Sequence, residues 1–248
     1  MNVIILAAGT SRRLLPLTKQ KPKTLLSLSK ERTMLASIFD SLKDNSNYFS
    51  QLTIVGGHGF NFLQQAIASL RHTVPIAPTL IFNPNYQSMN NCYSLFMALK
   101  NNTDRDVLII HSDVVYEPTI VNKIMRSPYT ALVVDNKKQL TAESMKVTVA
   151  NGRVTDISKA LSPKTSYGEY IGIAKVQKKH LPKLMVALEA IVKETSNLFY
   201  DDAFRSILGD VNFRVVDTDG LPWTEVDNKY DLRIARRIYK DLSSRSRI

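Results

Sequence analysis

Arg13 and Lys23 belong to one loop, Leu6-Ala7-Ala8-Gly9-Thr10-Ser11-Arg12-Arg13 continuing to Lys21-Pro22-Lys23. Those residue types suit phosphate chemistry. Small residues and Gly9 let a nucleotide approach the backbone, so that loop amides face phosphate oxygens. Arginine gives phosphate a bidentate grip and lysine a mobile point charge, while Pro22 restricts the backbone that aims Lys23. The loop is neither a Walker A sequence nor a GxGxxG fingerprint, and residue types alone also allow a merely structural basic loop. Two distant carboxylates, Asp113 and Asp227, are hard oxygen ligands of the kind that holds Mg²⁺ on triphosphate oxygens. Each is also of a type that caps a helix or turns the chain. Glu225, two positions before Asp227, is expected to face elsewhere.

His111 reads as a packed residue rather than an acid or base. Cys92 lacks an identifiable histidine partner and is not read as a nucleophile.

The elements that must position these groups are legible as alternating apolar runs and helical patterns. Residues 2–8, 52–55, 80–82 and 107–110 read as buried strands, with helices over 33–43, 60–70 and 90–100. After a strand at 131–135 the pattern changes. Residues 145–149 and 153–157 alternate around Asn151-Gly152, a hairpin signal. Further strands are expected at 170–176 and 213–217, with helices at 178–194 and from Lys229 onward. The expected fold is α/β: a Rossmann-like, mostly parallel mixed sheet flanked by helices in a single domain, residues 1–248. Its core spans about 2–135 and 213–242, and a small antiparallel insert, about 136–212, is laid over it. Asp113 then falls at the carboxyl end of a strand, where ligands bind in such sheets.

In order and spacing the N-terminal loop resembles the signature AAG-x-x-x-R-L…P-L-T…P-K of the nucleoside-triphosphate transferases that activate small phosphorylated molecules. That superfamily includes the sugar-1-phosphate nucleotidyltransferases and the bacterial phosphocholine cytidylyltransferases. The resemblance implies that Leu6, Ala7, Ala8 and Gly9 contact base and ribose, with Ser11 and Gly57 also on the nucleotide. It implies that Arg13 holds the departing pyrophosphate, that Lys23 neutralises charge near the reacting phosphates, and that Asp113 and Asp227 bind Mg²⁺. Ser11 stands where the family usually has a second glycine, which makes the loop less permissive in φ.

The stretch Asn83-Pro84-Asn85-Tyr86 through Asn90-Asn91-Cys92-Tyr93-Ser94-Leu95 is similar to that of the choline-phosphate and phosphonate cytidylyltransferases. Asn90 and Ser94 are expected to contact substrate or nucleotide, and the same segment can also be a capped helix start. Lys159 and Lys146 are candidates for the acceptor's phosphoryl group. Asp135, Glu169 and the Tyr200-Asp201-Asp202 cluster, Asp202 among them, are candidates for its amine. The choline branch tends to carry a tryptophan near the position of Met145, whereas the only one here is Trp223. The implied partners are therefore CTP, or another nucleoside triphosphate, and a 2-aminoethylphosphonate- or phosphocholine-like acceptor. The alternatives are a sugar-1-phosphate enzyme using dTTP or UTP and a non-catalytic nucleotide-binding regulator.

Composition narrows the classes further. With 44% hydrophobic and 22% charged residues the chain can bury a core and stay in solution. No apolar run approaches the ~20 residues of a membrane span, and residues 3–8 are too short and wrongly flanked for a signal peptide. The single cysteine excludes an internal disulfide framework and fits a reducing cytoplasm. The net charge of +11 is concentrated at residues 12–32 and 229–247 rather than in a stripe interleaved with aromatics, so no specific nucleic-acid partner is expected. The second cluster reads as a solvated helix face with a frayed tail. A homo-oligomer is compatible with the sequence.

Overall fold

Residue 4 faces one way along the first strand and residues 3 and 5 the other, and this alternation sets the architecture. The computed structural model describes all residues except 71, 72, 75, 101, 195, 196 and 246–248. All six residues of β1 (Asn2–Ala7) are buried. Val3, Ile5 and Ala7 pack into one apolar cluster, and Ile4 and Leu6 into another across the sheet. A strand apolar on both faces must be covered on both.

The first half runs β1, α1 (Met34–Lys43), β2 (Gln51–Gly56), α2 (Phe60–Leu70), β3 (Thr79–Phe82), α3 (Asn91–Leu99), β4 (Val107–His111), β5 (Val114–Tyr116), α4 (Thr119–Arg126) and β6 (Ala131–Asp135). The second continues with β7 (Lys146–Ala150), β8 (Arg153–Ser158), β9 (Gly168–Val176), α5 (Leu181–Glu194), α6 (Tyr200–Ser206), β10 (Arg214–Asp217), β11 (Trp223–Glu225) and α7 (Lys229–Arg245). The strands expected from sequence are all present within a residue or two. Local chemistry explains several boundaries: the Thr33 hydroxyl accepts from Ala36 N and starts α1, and Asn151 and Gly152 both take positive φ to turn β7 into β8.

The main sheet has the order β3-β2-β1-β4-β9-β6-β10-β8-β7. β1 pairs in parallel with β2 and β4, β2 with β3, and β6 with β10. β9 is antiparallel to both its neighbours, β4 and β6. Here the structure departs from the expected insert laid over the core: β9 lies inside the sheet. All nine of its residues are buried, and a strand with no solvent-exposed face belongs at the centre of a sheet rather than in a surface layer. A register shift against β6 surrounds Gly172, whose φ is +82°.

Helices α1, α2 and α4 cover one face, and α3, α5 and α6 cover the other. A third apolar cluster joins Leu14, Leu26, Leu28 and Met34 to Leu232 and Ala235 of α7. The two basic clusters of the sequence thus share one side of the molecule. Arg233, Arg236, Arg237 and Lys240 point to solvent, as a solvated helix face should. The expected frayed tail, beyond Arg245, lies outside the described residues. Among the described residues no helix is long and apolar enough to cross a membrane.

Candidate active site

β1, β4 and β6 finish at one edge of the sheet, and β9, running the opposite way, begins there. A cleft of about 960 Å³ opens over that edge, lined by residues 6–13, Lys23, Asn90, Ser94, Asp113, Lys159, Glu169 and Asp227. Most of the sequence-predicted site residues therefore share one cavity.

Ser11 holds the nucleotide loop in the left-handed region, with φ 53° and ψ 37°, although it is not glycine. That conformation costs a non-glycine residue about 1–2 kcal/mol. Two contacts hold it: the Ser11 carbonyl accepts from Thr18 Oγ1 at 2.9 Å and from Leu14 N at 3.1 Å. Leu14 is buried in the third cluster, which anchors the turn and leaves Arg13 projecting outward. Gly57 does not line the cleft. A Cβ there would lie 2.5 Å from Tyr86 Cβ and 2.6 Å from the Ala8 carbonyl, so its smallness lets Tyr86 back the loop from behind.

The charged centre is assembled by a short ribbon. β11 pairs antiparallel with β5, Glu225 standing opposite Val114, and Val226 N donates to the Asp113 carbonyl at 2.9 Å. This pairing brings positions 113 and 225–227 together. Lys23 Nζ lies 2.8 Å from Asp113 Oδ2 and 3.0 Å from Asp227 Oδ1, and Arg13 Nη2 lies 2.8 Å from Asp227 Oδ2. Neither carboxylate caps a helix. The start of α7 is capped by Asn228 and by Asp231, whose carboxylate accepts from Asp227 N. Burial alone would lower the Lys23 pKa, but Asp113 first and Asp227 second outweigh it and hold it above the usual range, so the ammonium stays charged. Burial likewise opposes ionisation of Asp113, and Lys23 overcomes it.

Glu225 corrects an expectation. It does not face elsewhere: carboxylate oxygens of Asp113, Glu225 and Asp227 all lie within 4.8 Å of one another. Two residues apart in an extended segment, 225 and 227 share a face, and this is the signal that locates it. Glu225 is exposed on the cleft wall, and partial loss of water there, then the charges of Asp113 and Asp227, raise its carboxyl above the usual range. Asp113 Oδ1 is buried without a hydrogen-bond partner. Three hard oxygens, one lacking a donor, form a donor set that fits a divalent cation such as Mg²⁺.

At the other end of the cleft three expected acceptor ligands are structural. Lys146 is fully buried, and its ammonium donates to the carbonyls of Thr141, Ala142 and Ser144, tying the cleft wall at 141–144 into a knot. Asp135 accepts from Trp223 Nε1 and from the amides of Lys137 and Lys138. Asp202 caps α6 through Phe199 N at 2.8 Å. None of the three lines the cleft, because each is used up by local bonding.

Lys159 and Glu169 do line it; Lys159 is half-exposed, 3.7 Å from Glu143. Asn90 donates to the Asn197 carbonyl at 2.6 Å, and Ser94 Oγ accepts from Asn83 Nδ2 at 2.9 Å. Two further residues complete this end: Asp201, a member of the expected 200–202 cluster, and Lys138, which lies outside the expected set. Asp201, not its neighbour Asp202, lines the cleft; it is buried, and its Oδ1 has no partner. Burial, then the charge of Asp202, push its carboxyl up to about 7. Lys138 lies 3.3 Å from Glu169 Oε2 and 4.3 Å from the centre of the Trp223 ring. His111 is packed edge-on against Tyr200, as a packed residue would be, and burial holds its pKa low.

Comparison with known proteins agrees with this architecture. A family model described as the MobA-like NTP transferase domain matches residues 3–190. A CTP:phosphoglutamine cytidylyltransferase of Campylobacter jejuni is 26% identical, over 94% of this chain and 98% of its own. A CMP-5'-(3-aminopropyl)phosphonate synthase of Streptomyces rubellomurinus is 25% identical over 95% of this chain, which spans 38% of that longer protein. A choline-phosphate cytidylyltransferase of Streptococcus pneumoniae is 24% identical over 97% of this chain and 99% of its own. The solved structure of a CTP:phosphocholine cytidylyltransferase from Streptococcus pneumoniae shares the fold, with a TM-score of 0.77 at 20% identity over 96% of this chain and 98% of that one. By its sheet, its loop and these relatives, the chain is a nucleotidyltransferase and belongs to the MobA-like NTP transferase domain family.

Proposed function

We propose that the protein is a Mg²⁺-dependent cytidylyltransferase that couples CTP to a small amine-bearing phosphate or phosphonate and releases pyrophosphate. One observation carries this reading: Arg13, Lys23, Asp113 and Asp227 converge in a single ion cluster at the rim of a cleft whose floor is the Leu6–Gly9 loop. The relatives named above pair CTP with phosphoglutamine and choline phosphate, or make a CMP-linked aminopropylphosphonate, so each acceptor joins a phosphorus group to a nitrogen group.

The acceptor's anionic oxygen attacks the α-phosphorus of CTP, and the bond from that phosphorus to the β,γ-pyrophosphate breaks. Residues 6–9, with Ser11, approach base, ribose and phosphates through the backbone, and Asn90 and Ser94 border the same space. Arg13 grips the leaving pyrophosphate, and Lys23 holds positive charge beside the reacting phosphorus. When bound at Asp113, Asp227 and the adjoining Glu225, Mg²⁺ supplies charge neutralisation and alignment of the triphosphate. Lys159 meets the acceptor's phosphoryl or phosphonyl oxygens. Asp201 offers its unpartnered oxygen to the acceptor's amine. No protein nucleophile is required, and Cys92 stands buried away from the reaction.

The test is pyrophosphate release with CTP, UTP, dTTP and ATP, each against phosphocholine, 2-aminoethylphosphonate, phosphoethanolamine and glucose-1-phosphate, with and without Mg²⁺. Turnover with CTP and an amine-bearing acceptor is expected. Turnover only with dTTP or UTP and the sugar phosphate would replace this reading by the sugar-1-phosphate one.

A further inference from the structure

The strand order spreads the cleft into stations. The nucleotide loop follows β1, Asp113 follows β4, Glu169 opens β9 and Lys138 follows β6, in the order β1-β4-β9-β6. Three strand spacings put the β6 station about 14 Å from the β1 station. A cation there stands apart from the triphosphate loop.

Lys138 is nevertheless held in place at both ends. Asp135 Oδ1 accepts from its backbone amide at 3.3 Å, its ammonium lies 3.3 Å from Glu169, and the Trp223 ring sits beneath it at 4.3 Å. An ammonium has three protons, Glu169 is its one carboxylate partner, and a ring face accepts none in the ordinary sense. The side chain is 49% exposed and lines the cleft, so protons remain for a ligand. Asp201 approaches from the other covering layer, since α6 packs with α3 and α5 whereas Trp223 belongs to the cluster under α1 and α4. Its buried, unpartnered oxygen asks for a donor. The acceptor end thus presents one cation and one unpartnered carboxyl group from opposite walls, besides Lys159.

We propose that the acceptor is zwitterionic beyond its phosphorus group, an amino acid phosphate or phosphonate whose carboxylate is held by Lys138 and whose amine is held by Asp201. This rests on the cytidylyltransferase reading and names its substrate class. Lys138 is a specificity residue, remote from the reacting atoms.

Two pairs of acceptors differ by a carboxylate alone: O-phosphoserine against phosphoethanolamine, and 2-amino-3-phosphonopropionate against 2-aminoethylphosphonate. With CTP and Mg²⁺, kcat/KM is expected to be at least about tenfold higher for the carboxylated member of each pair, the scale of one well-placed charged hydrogen bond. Lys138→Gln should bring the ratio toward one, mainly through KM, and Lys137→Gln, at an exposed neighbour outside the cleft, should leave it unchanged. Calorimetric titration of the same four compounds should rank them in the same order. Equal or better turnover of the amine-only members, or a ratio that survives in K138Q, would overturn the assignment while leaving the cytidylyltransferase reading intact. Silence of all four acceptors beside turnover of phosphocholine with CTP would likewise overturn the assignment alone, and silence of phosphocholine as well would overturn both.

Discussion

Lys23 and Asp227 stand 204 positions apart in the chain and 3.0 Å apart in the cleft. Lys23 shares its ammonium between Asp227 and Asp113, so the group assigned to the reacting phosphates also balances the carboxylates assigned to the metal.

Lys23→Ala therefore removes charge from two places at once. Turnover should fall by about 10²-fold or more, the usual loss when a transition-state charge partner is deleted. The apparent Mg²⁺ requirement should change as well, because Asp113 and Asp227 lose their internal counter-ion. A Mg²⁺ titration of pyrophosphate release measures both effects, and turnover within about threefold of wild type would remove Lys23 from the mechanism.

Gly172 lies in the bulged part of β9 at φ +82°, and a Cβ there would come within 2.5 Å of His111 Nδ1. Gly172→Ala should cost about 1–3 kcal/mol through backbone strain and push His111, two residues from Asp113, out of position. Urea denaturation should detect the first effect and a weakened response to Mg²⁺ the second. An unchanged denaturation midpoint would mean that the bulge relaxes freely.

Asp201 links stability to pH. Its carboxyl moves from 3.8 to about 7 on folding, so the unfolded chain gives up the proton first and stability is lost as pH rises between those values. The penalty is absent below the lower value and complete above the upper one. Asp201→Asn should leave the melting temperature at pH 4 nearly unchanged and raise it at pH 8, by about 2–4 °C for each kcal/mol recovered. Thermal melts at the two pH values decide the matter; an equal gain at both would assign the effect to packing instead.

Cys92 is buried on α3, and burial, followed by the charges of Asp202 and Asp201, pushes its thiol up to about 12. It should react with a disulfide reagent at pH 8 roughly 10²-fold more slowly in the native protein than in urea, since the thiolate is the reactive form. Labelling at the unfolded rate would contradict its burial between α3 and α6.

Legibility from the sequence followed the physics of each region. β1 and β4 are short apolar runs ending in small or polar residues, and the loop after β1 carries its chemistry in consecutive order, so both could be read directly. α4 is not among the helices expected from the sequence, although Ile120, Val121, Ile124 and Met125 recur at helical spacing and are all buried. β5 and β11 are three residues each, and only their mutual pairing makes them a ribbon. The acceptor end was the least legible. Lys146, Asp135 and Asp202 have the right chemistry for ligands, but whether a polar group faces a cleft or its own backbone depends on contacts between distant segments. Asp201 and Asp202 are adjacent and chemically identical; helix geometry alone sends one to the cleft and the other to the cap.

The position of β9 has a consequence for the order in which the chain can assemble. β1 to β4 form a contiguous parallel unit, but β6 joins them only through β9, whose first residue follows the end of β6 by more than thirty positions. While the chain emerges from the ribosome, β4 therefore carries an open apolar edge, and β6 has no neighbour to dock on. The nucleotide-binding half can gather early, whereas the half that reads the acceptor closes only when residue 176 is available. A chain cut before β9 would lack Leu232 and Ala235, against which Leu14 anchors the phosphate loop, and would present a sticky sheet margin, so premature termination there should yield aggregate rather than a smaller working domain.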